Sequence, residues 1–229
     1  MNQTMWLDPD SDPNFFPPIE NALLDPPGLV AAGGDLRPER LIAAYRHGIF
    51  PWYSPNQPIL WWSPDPREVL VPKEFKRSRS LSKRERNASF ELRFDTAFTA
   101  VINACAEPRD RLGGGTWITN DMRDAYVELN KQGLAHCVEI WQEGLLVGGL
   151  YGVQLGAVFF GESMFSRVND ASKVAFAALV QRCIEQQIEL IDCQMSSAHL
   201  TSLGSQAMPR LKFIAHLTQF AAAEVPNRW

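Results

Sequence analysis

Between His136 and Met164 three strand-like segments follow one another almost without pause: His136 to Trp141, Leu145 to Val153 and Ala157 to Met164, joined by Glu143-Gly144 and Leu155-Gly156. Turns this short, each carrying a glycine, join antiparallel neighbours, so the stretch predicts a local meander. Ser172 to Gln187 follows as an amphipathic helix with Val174, Phe176, Ala177, Leu179, Val180 and Ile184 apolar, and it leads directly into a buried strand, Glu189 to Cys193. A strand-helix-strand unit therefore closes the sheet. The class is α+β, with a mixed sheet and flanking helices.

Upstream, Glu68 to Val71 and Phe90 to Phe94 read as short strands, and Asp95 to Cys105 as a helix whose Phe98, Val101 and Ile102 share a face. After a Gly113-Gly114-Gly115 turn, Thr119 is placed to cap a helix that carries Met122, Ala125, Tyr126 and Leu129 and ends at Gly133. The first 66 residues differ: Asp25-Pro26-Pro27-Gly28, Gly33-Gly34-Asp35, Ser54-Pro55-Asn56 and Ser63-Pro64-Asp65-Pro66 break them into turns. One helix is legible there, starting at Pro38, with Leu41, Ile42 and Tyr45 on one face and Gly48 as its stop. The change after residue 66 sets a boundary, with a small N-terminal domain over 1–66 and a larger C-terminal domain over 67–229.

The 229 residues are 45% hydrophobic, which excludes disorder as the main state, and no apolar run approaches a membrane span. Cys105, Cys137, Cys183 and Cys193 are scattered, so their spacing implies neither a disulfide framework nor a zinc ribbon. The N-terminus lacks a basic flank followed by an apolar stretch, and a cytoplasmic location is expected. A net charge of −4 argues against a nucleic-acid partner, but the average conceals a patch. From Lys73 to Arg86, seven cations (Lys73, Lys76, Arg77, Arg79, Lys83, Arg84, Arg86) stand against Glu74 and Glu85, a net of +5 that leaves −9 on the rest. The run reads equally as a solvated loop or as a phosphate-binding surface. Trp52, Tyr53, Trp61, Trp62 and Trp117 stand among Pro and Gly turns, where rings either stack on an exposed base or pack the two domains together.

Three familiar catalytic patterns are each incomplete. Gly156 to Ser163 has the glycine spacing of a phosphate loop, but Glu162 stands where a lysine would meet the phosphates. Ser163, Asp192 and His199 occur in a hydrolase order, yet the second glycine of a nucleophile elbow is missing. His47, His136, His199 and His216 have no metal-binding spacing, so no metal is expected. More informative are Asp192 and Gln194 at the end of the buried strand, two residues apart and hence on one face, with Glu162 able to share that face from the neighbouring run. The alternative is a hydrogen-bonded structural network.

Seven blocks in one order, Gly34-Asp35-Leu36, Gly48-Ile49-Phe50-Pro51-Trp52, Trp61 to Arg67, Gly115-Thr116-Trp117-Ile118-Thr119, Gly148 to Val153, Gly161 to Ser166 and Ile191-Asp192-Cys193-Gln194, closely resemble the leucyl/phenylalanyl-tRNA-protein transferase family over residues 15–215. The resemblance implies a C-terminal domain like that of the N-acetyltransferases. It also implies an enzyme that moves Leu or Phe, less often Met, from aminoacyl-tRNA to the N-terminal Arg or Lys of a protein as a degradation tag. Asp192, Gln194 and Glu162 would then stand at the reacting centre, and Leu150, Met164 and Ile191 would receive the donor side chain. Trp52 and Trp117 would flank the terminal adenosine, and the 73–86 run would hold tRNA. An aminoacyl ester is already activated, so no cofactor is expected, and the absence of a Q-x-x-G-x-G/A segment before the long helix favours tRNA over coenzyme A as the acyl carrier. A plain RNA-binding module using the same surface is the other reading.

Overall fold

The computed structural model describes residues 4–87, 89–107, 117–226 and 229. The Gly113-Gly114-Gly115 turn and Thr116 lie outside them. In chain order the elements are β1 (Met5–Leu7), β2 (Leu29–Gly33), α1 (Pro38–Arg46), β3 (Phe50–Pro51), β4 (Leu60–Trp62), β5 (Arg67–Leu70), α2 (Arg79–Asn87), β6 (Glu91–Phe94) and α3 (Phe98–Ala106). They continue with α4 (Asn120–Lys131), β7 (Ala135–Gln142), β8 (Leu145–Leu155), β9 (Val158–Ser166), α5 (Ala171–Glu185), β10 (Leu190–Gln194), α6 (Ala198–Leu203), β11 (Gln206–Met208) and α7 (Arg210–Phe220).

The meander forms as its turns dictate: β7, β8 and β9 pair antiparallel through two-residue turns, with Glu143 and Gly144 both at positive φ, and β6 pairs antiparallel with β7 from across α3 and α4. α5 then crosses over so that β10 lies parallel to β9, and the order of the seven-stranded sheet is β11-β5-β10-β9-β8-β7-β6. Thr119 caps α4 by accepting from the Met122 amide, and Gly133 at φ +72° ends the turn that follows it. α3 begins at Phe98, three residues later than its apolar pattern indicates. The preceding residues are held otherwise: Asp95 bonds His136 Nδ1 and the Cys137 amide, while Glu139 accepts from the Thr96 and Ala97 amides. The run from 156 to 163 falls in the turn and strand β9, which removes the phosphate-loop reading.

Residues 5–62 contain a second sheet, β1-β2-β4-β3, that sequence patterning missed. Its strands are two to five residues long, too short for period-two alternation to register, and it is tied by Trp61, whose Nε1 donates to the Gly33 carbonyl. The two sheets share one core. Tyr45, Ile49, Phe50 and Trp61 are buried with Phe160, Phe213 and Leu217. Gly48 shows how closely the N-terminal part meets α7, since a Cβ there would run into Ile214. On this face of the large sheet α3 and α4 also pack, whereas α5 covers the opposite face with Leu150, Phe159 and Ile191 beneath it.

Candidate active site

β9 and β10 pair only as far as Phe160 and Asp192 and part beyond that point, leaving a cleft of about 1220 Å³ between them. Its walls include Trp117, Leu150, Tyr151, Glu162, Met164, Ile191, Asp192 and Gln194, with Phe176 and Leu179 of α5 and Ser197, His199 and Leu200 around α6. A β-bulge divides the polar from the apolar residues. Tyr151 pairs with Ser163 and Gly152 with Gly161, so Glu162 is the extra residue in β9. The bulge changes the alternation: Glu162 joins Phe160 on the α4 face, while Met164, only two residues on, packs beside Leu150 and Ile191 under α5. Gly152 opposite the bulge is required, because a Cβ would strike the Phe160 carbonyl.

Glu162 is buried and has three polar neighbours. Tyr45 Oη lies 2.7 Å from Oε1, Tyr126 Oη 3.0 Å from Oε2, and Gln194 Nε2 donates to Oε1 at 2.9 Å. The two phenol oxygens also contact each other. Burial pushes the Glu162 carboxyl up to about 7, against the downward pull of the tyrosine bonds. The hydroxyls of Tyr45, Tyr126 and Tyr151 are raised well above the usual phenol value, first by burial and then by Glu162, and so remain protonated donors.

Asp192 is fully buried and engaged on both oxygens by Arg67, Nε to Oδ1 at 2.8 Å and Nη2 to Oδ2 at 2.6 Å. The guanidinium donates its Nη1 to the Gly48 carbonyl and lies between the Phe50 and Phe213 rings. Asp192 Oδ1 also accepts the Gln194 amide, holding that residue at φ +62° with its side chain toward Glu162. Asp192 thus holds the Gln194 backbone and leaves the Gln194 side-chain amide to Glu162. With both its oxygens on Arg67, it assembles no triad with Ser163 and His199.

The structure brings Leu150, Met164, Ile191, Trp117, Glu162, Asp192 and Gln194 to one cleft and leaves Trp52 outside its walls. Trp52 follows β3, 41% exposed, with its ring edge-on to Trp62 at 5.9 Å. The basic run is loop only in its first half: Lys73 lies in a 3-10 turn (Pro72–Glu74), Lys76 and Arg77 in irregular chain, and Arg79–Asn87 is helix α2, anchored by buried Leu81, with Lys83 and Arg86 outward. Lys73, Lys76, Arg77 and Arg79 are exposed as well, Arg77 pairing with Glu85 at 3.6 Å, whereas Arg84 lies over the Phe90 ring. The run adjoins the cleft through the Lys76 amide, which donates to the Leu203 carbonyl of α6, and through Phe75, whose ring lies 6.0 Å from that of Phe176. Among the described residues no group of three His, Cys, Asp or Glu could hold a metal, and none of the four cysteines is joined in a disulfide.

Sequence reasoning missed Tyr45, Tyr126, Tyr151 and Arg67 as site residues. The tyrosines sit among apolar positions of α1, α4 and β8 and look like core; the one available signal was a phenol hydroxyl in a stripe that should be apolar. Tyr151 Oη is buried and has no hydrogen-bond partner among the described residues.

Fold and site together define an α+β protein with a two-faced cleft at the parting of two parallel strands, polar on one face and apolar on the other. The model of the leucyl/phenylalanyl-tRNA protein transferase family matches residues 69–218, and that of its N-terminal domain matches 34–65. The chain is 58% identical over 223 residues to the leucyl/phenylalanyl-tRNA–protein transferase of Stutzerimonas stutzeri, covering 96% of this chain and 97% of that one. It is 59% identical to the Pseudomonas entomophila protein of the same name, over 93% of each chain. This chain belongs to the leucyl/phenylalanyl-tRNA–protein transferase family. Among solved structures, it is similar to a GCN5-related N-acetyltransferase from Kribbella flavida at 12% identity and TM-score 0.38, over 73% of this chain and 59% of that one, a likeness too slight to bear on the fold.

Proposed function

We propose that this protein transfers leucine or phenylalanine, and less readily methionine, from aminoacyl-tRNA to the N-terminal Arg or Lys of acceptor proteins, marking them for degradation in the cytoplasm. The observation that carries the reading is the two-faced cleft. Leu150, Met164 and Ile191 supply an apolar receptor on one face, Glu162 and Gln194 a polar site on the other, and the volume exceeds the usual ~300–1,000 Å³ of a single small-molecule pocket. An aminoacyl group lying in the gap between the strands has its side chain under α5 and its ester on the polar face, with room left for an acceptor N-terminus. Within this reading the chain divides into 1–66, which supplies Tyr45, and 67–229, which carries the cleft.

The free α-amine, with a pKa near ~7.7–8.0, is partly neutral at pH 7, so catalysis consists of orientation and stabilisation of the tetrahedral oxyanion. With its Nε2 engaged by Glu162, Gln194 turns its Oε1 to the incoming amine and positions it. Asp192 acts as a positioning residue through the Gln194 backbone. The partnerless hydroxyl of Tyr151 donates to the ester oxygen, which gains negative charge as the amine attacks. Trp117 lines the adenosine side of the cleft, and Trp52 contributes only where the acceptor stem leaves it.

Labelled leucine should pass from tRNA to a peptide beginning with Arg. Binding of tRNA without transfer would leave a plain RNA-binding module. Aspartyl and lysyl donors should fail, since their charges would be buried without partners, whereas Leu, Phe and Met differ by pocket contacts of only about 1–3 kcal/mol per methylene.

Lys73, Lys76, Arg77, Arg79, Lys83 and Arg86 form the exposed part of the tRNA surface. Lys83→Ala with Arg86→Ala is expected to raise KM for full-length aminoacyl-tRNA and flatten its log-log salt dependence by roughly 0.7–0.9 per lost phosphate contact, with little effect on a minimal aminoacyl-adenosine. Arg84 is a poor choice for this test because it also packs on Phe90. Equal loss for both donors would place the tRNA surface elsewhere.

A further inference from the structure

Three oxygen contacts lie beneath Gln194: Tyr45 Oη with Glu162 Oε1, Tyr126 Oη with Glu162 Oε2, and Tyr45 Oη with Tyr126 Oη. Each contact needs its own proton. The two phenols bring one apiece, and an ionised carboxylate brings none. With Glu162 charged, both phenol protons point at the carboxylate and the contact between the phenol oxygens is left with two facing lone pairs. A protonated Glu162 completes the set: its Oε2–H donates to Tyr126, Tyr126 donates to Tyr45, and Tyr45 donates to Oε1, which also accepts Gln194 Nε2. Each of the three oxygen contacts then has its own proton.

The surroundings favour the same form. Glu162 is faced by Tyr45 of α1, Tyr126 of α4, Tyr151 of β8, and Asp192 with Gln194 of β10. The cation that acts on it is Arg67 of β5, which is occupied by Asp192.

From this geometry we infer that Glu162 works as a neutral carboxylic acid, closed with Tyr45 and Tyr126 into a ring of three hydrogen bonds that orients Gln194 without placing a negative charge beside the reacting amine. The inference rests on the aminoacyl-transfer reading and deepens it. A carboxylate in this buried position would stabilise the ammonium form of the acceptor, which has no lone pair to attack with. A neutral acid leaves the amine free to react. The N–C bond forms as the C–O bond to the ribose breaks, and the proton lost by nitrogen ends on the departing ribose oxygen. Glu162 carries the same proton before and after. Tyr45 and Tyr126 are positioning residues, and one of them comes from the N-terminal part of the chain.

The direct test is isotope-edited infrared spectroscopy of the whole protein labelled with carboxyl-13C glutamate. At about pH 6 a protonated-carboxyl band is expected that Glu162→Gln removes, and in the wild type it should fade as pH rises through about 7. A missing band is read on the wild type without transfer activity and overturns the inference, while a band without transfer from leucyl-tRNA overturns only the proposed function. The kinetic test is the ratio of kcat/KM for Glu162→Gln to that of the wild type. Gln carries a donor and an acceptor but no charge at any pH, so although the variant is slower, the ratio should rise about tenfold between about pH 6 and 8 as the wild type ionises. A ratio that falls with pH would mean that the carboxylate is the working form, and a flat ratio would mean that transfer does not depend on the charge of Glu162; either result overturns the inference.

Discussion

Asp192→Ala is expected to lose about 3–5 kcal/mol of stability, and with it most activity, because it leaves the Arg67 guanidinium buried, without its carboxylate partner, between Phe50 and Phe213. A thermal melt should record the loss as a drop of roughly 2–4 °C per kcal/mol for a chain of this size. Arg67→Ala should cost as much, by stranding the Asp192 carboxylate instead. The double variant Arg67→Met with Asp192→Leu should recover most of the melting temperature, since apolar side chains of similar volume frequently replace a buried pair without penalty. It should remain slow, because the Gln194 amide has lost its acceptor and the positive-φ turn that aims Gln194 at Glu162 is no longer held. An Asp192→Ala protein that melts with the wild type would show that the pair is not what joins β5 to β10. A double variant as fast as the wild type would remove Asp192 from the positioning of Gln194.

Tyr151→Phe should behave in the opposite way, with kcat falling by about 100-fold and the melting temperature unchanged or slightly raised. The hydroxyl has no partner among the described residues, so its removal deletes a buried polar atom without breaking a bond, and the ring remains packed edge-on to Phe98 and Tyr126. The activity falls because deleting one donor to a developing oxyanion costs about 10²–10³ in kcat in a site closed to water. Single-turnover rates with saturating leucyl-tRNA, set beside a melt, separate the two effects. A variant with unchanged kcat would leave Tyr151 as a wall residue.

These variants touch different levels of the structure, and the sequence revealed the levels unequally. The meander, α5 and β10 were legible because their short turns and 3.6-residue apolar stripe are local properties, written within about 60 consecutive residues. The four strands of the small sheet were not, because each buries itself through partners up to about 30 residues away rather than through its own alternation. α2 was hidden for a related reason: among its described side chains only Leu81 is a buried apolar one, and a single apolar anchor has no period.

At the site, the chain order of chemistry-bearing residues could be read directly: Glu162 near the end of one strand, Asp192 and Gln194 at the end of another, and the apolar Leu150, Met164 and Ile191 close by in sequence. Strand periodicity put Asp192 and Gln194 on one face and the motif blocks marked the apolar residues, and both signals are carried by the chain itself. What each group does was decided only by the fold. Asp192 becomes a structural anchor because β5, 125 residues upstream, inserts between β10 and β11 and delivers Arg67. Glu162 acquires its proton-bearing ring because α1 and α4 bring Tyr45 and Tyr126 to it across 117 and 36 residues. A carboxylate's charge is set by burial and by the atoms within about 3 Å of it, and contacts of that range between residues so far apart in the chain exist only once the sheet has closed.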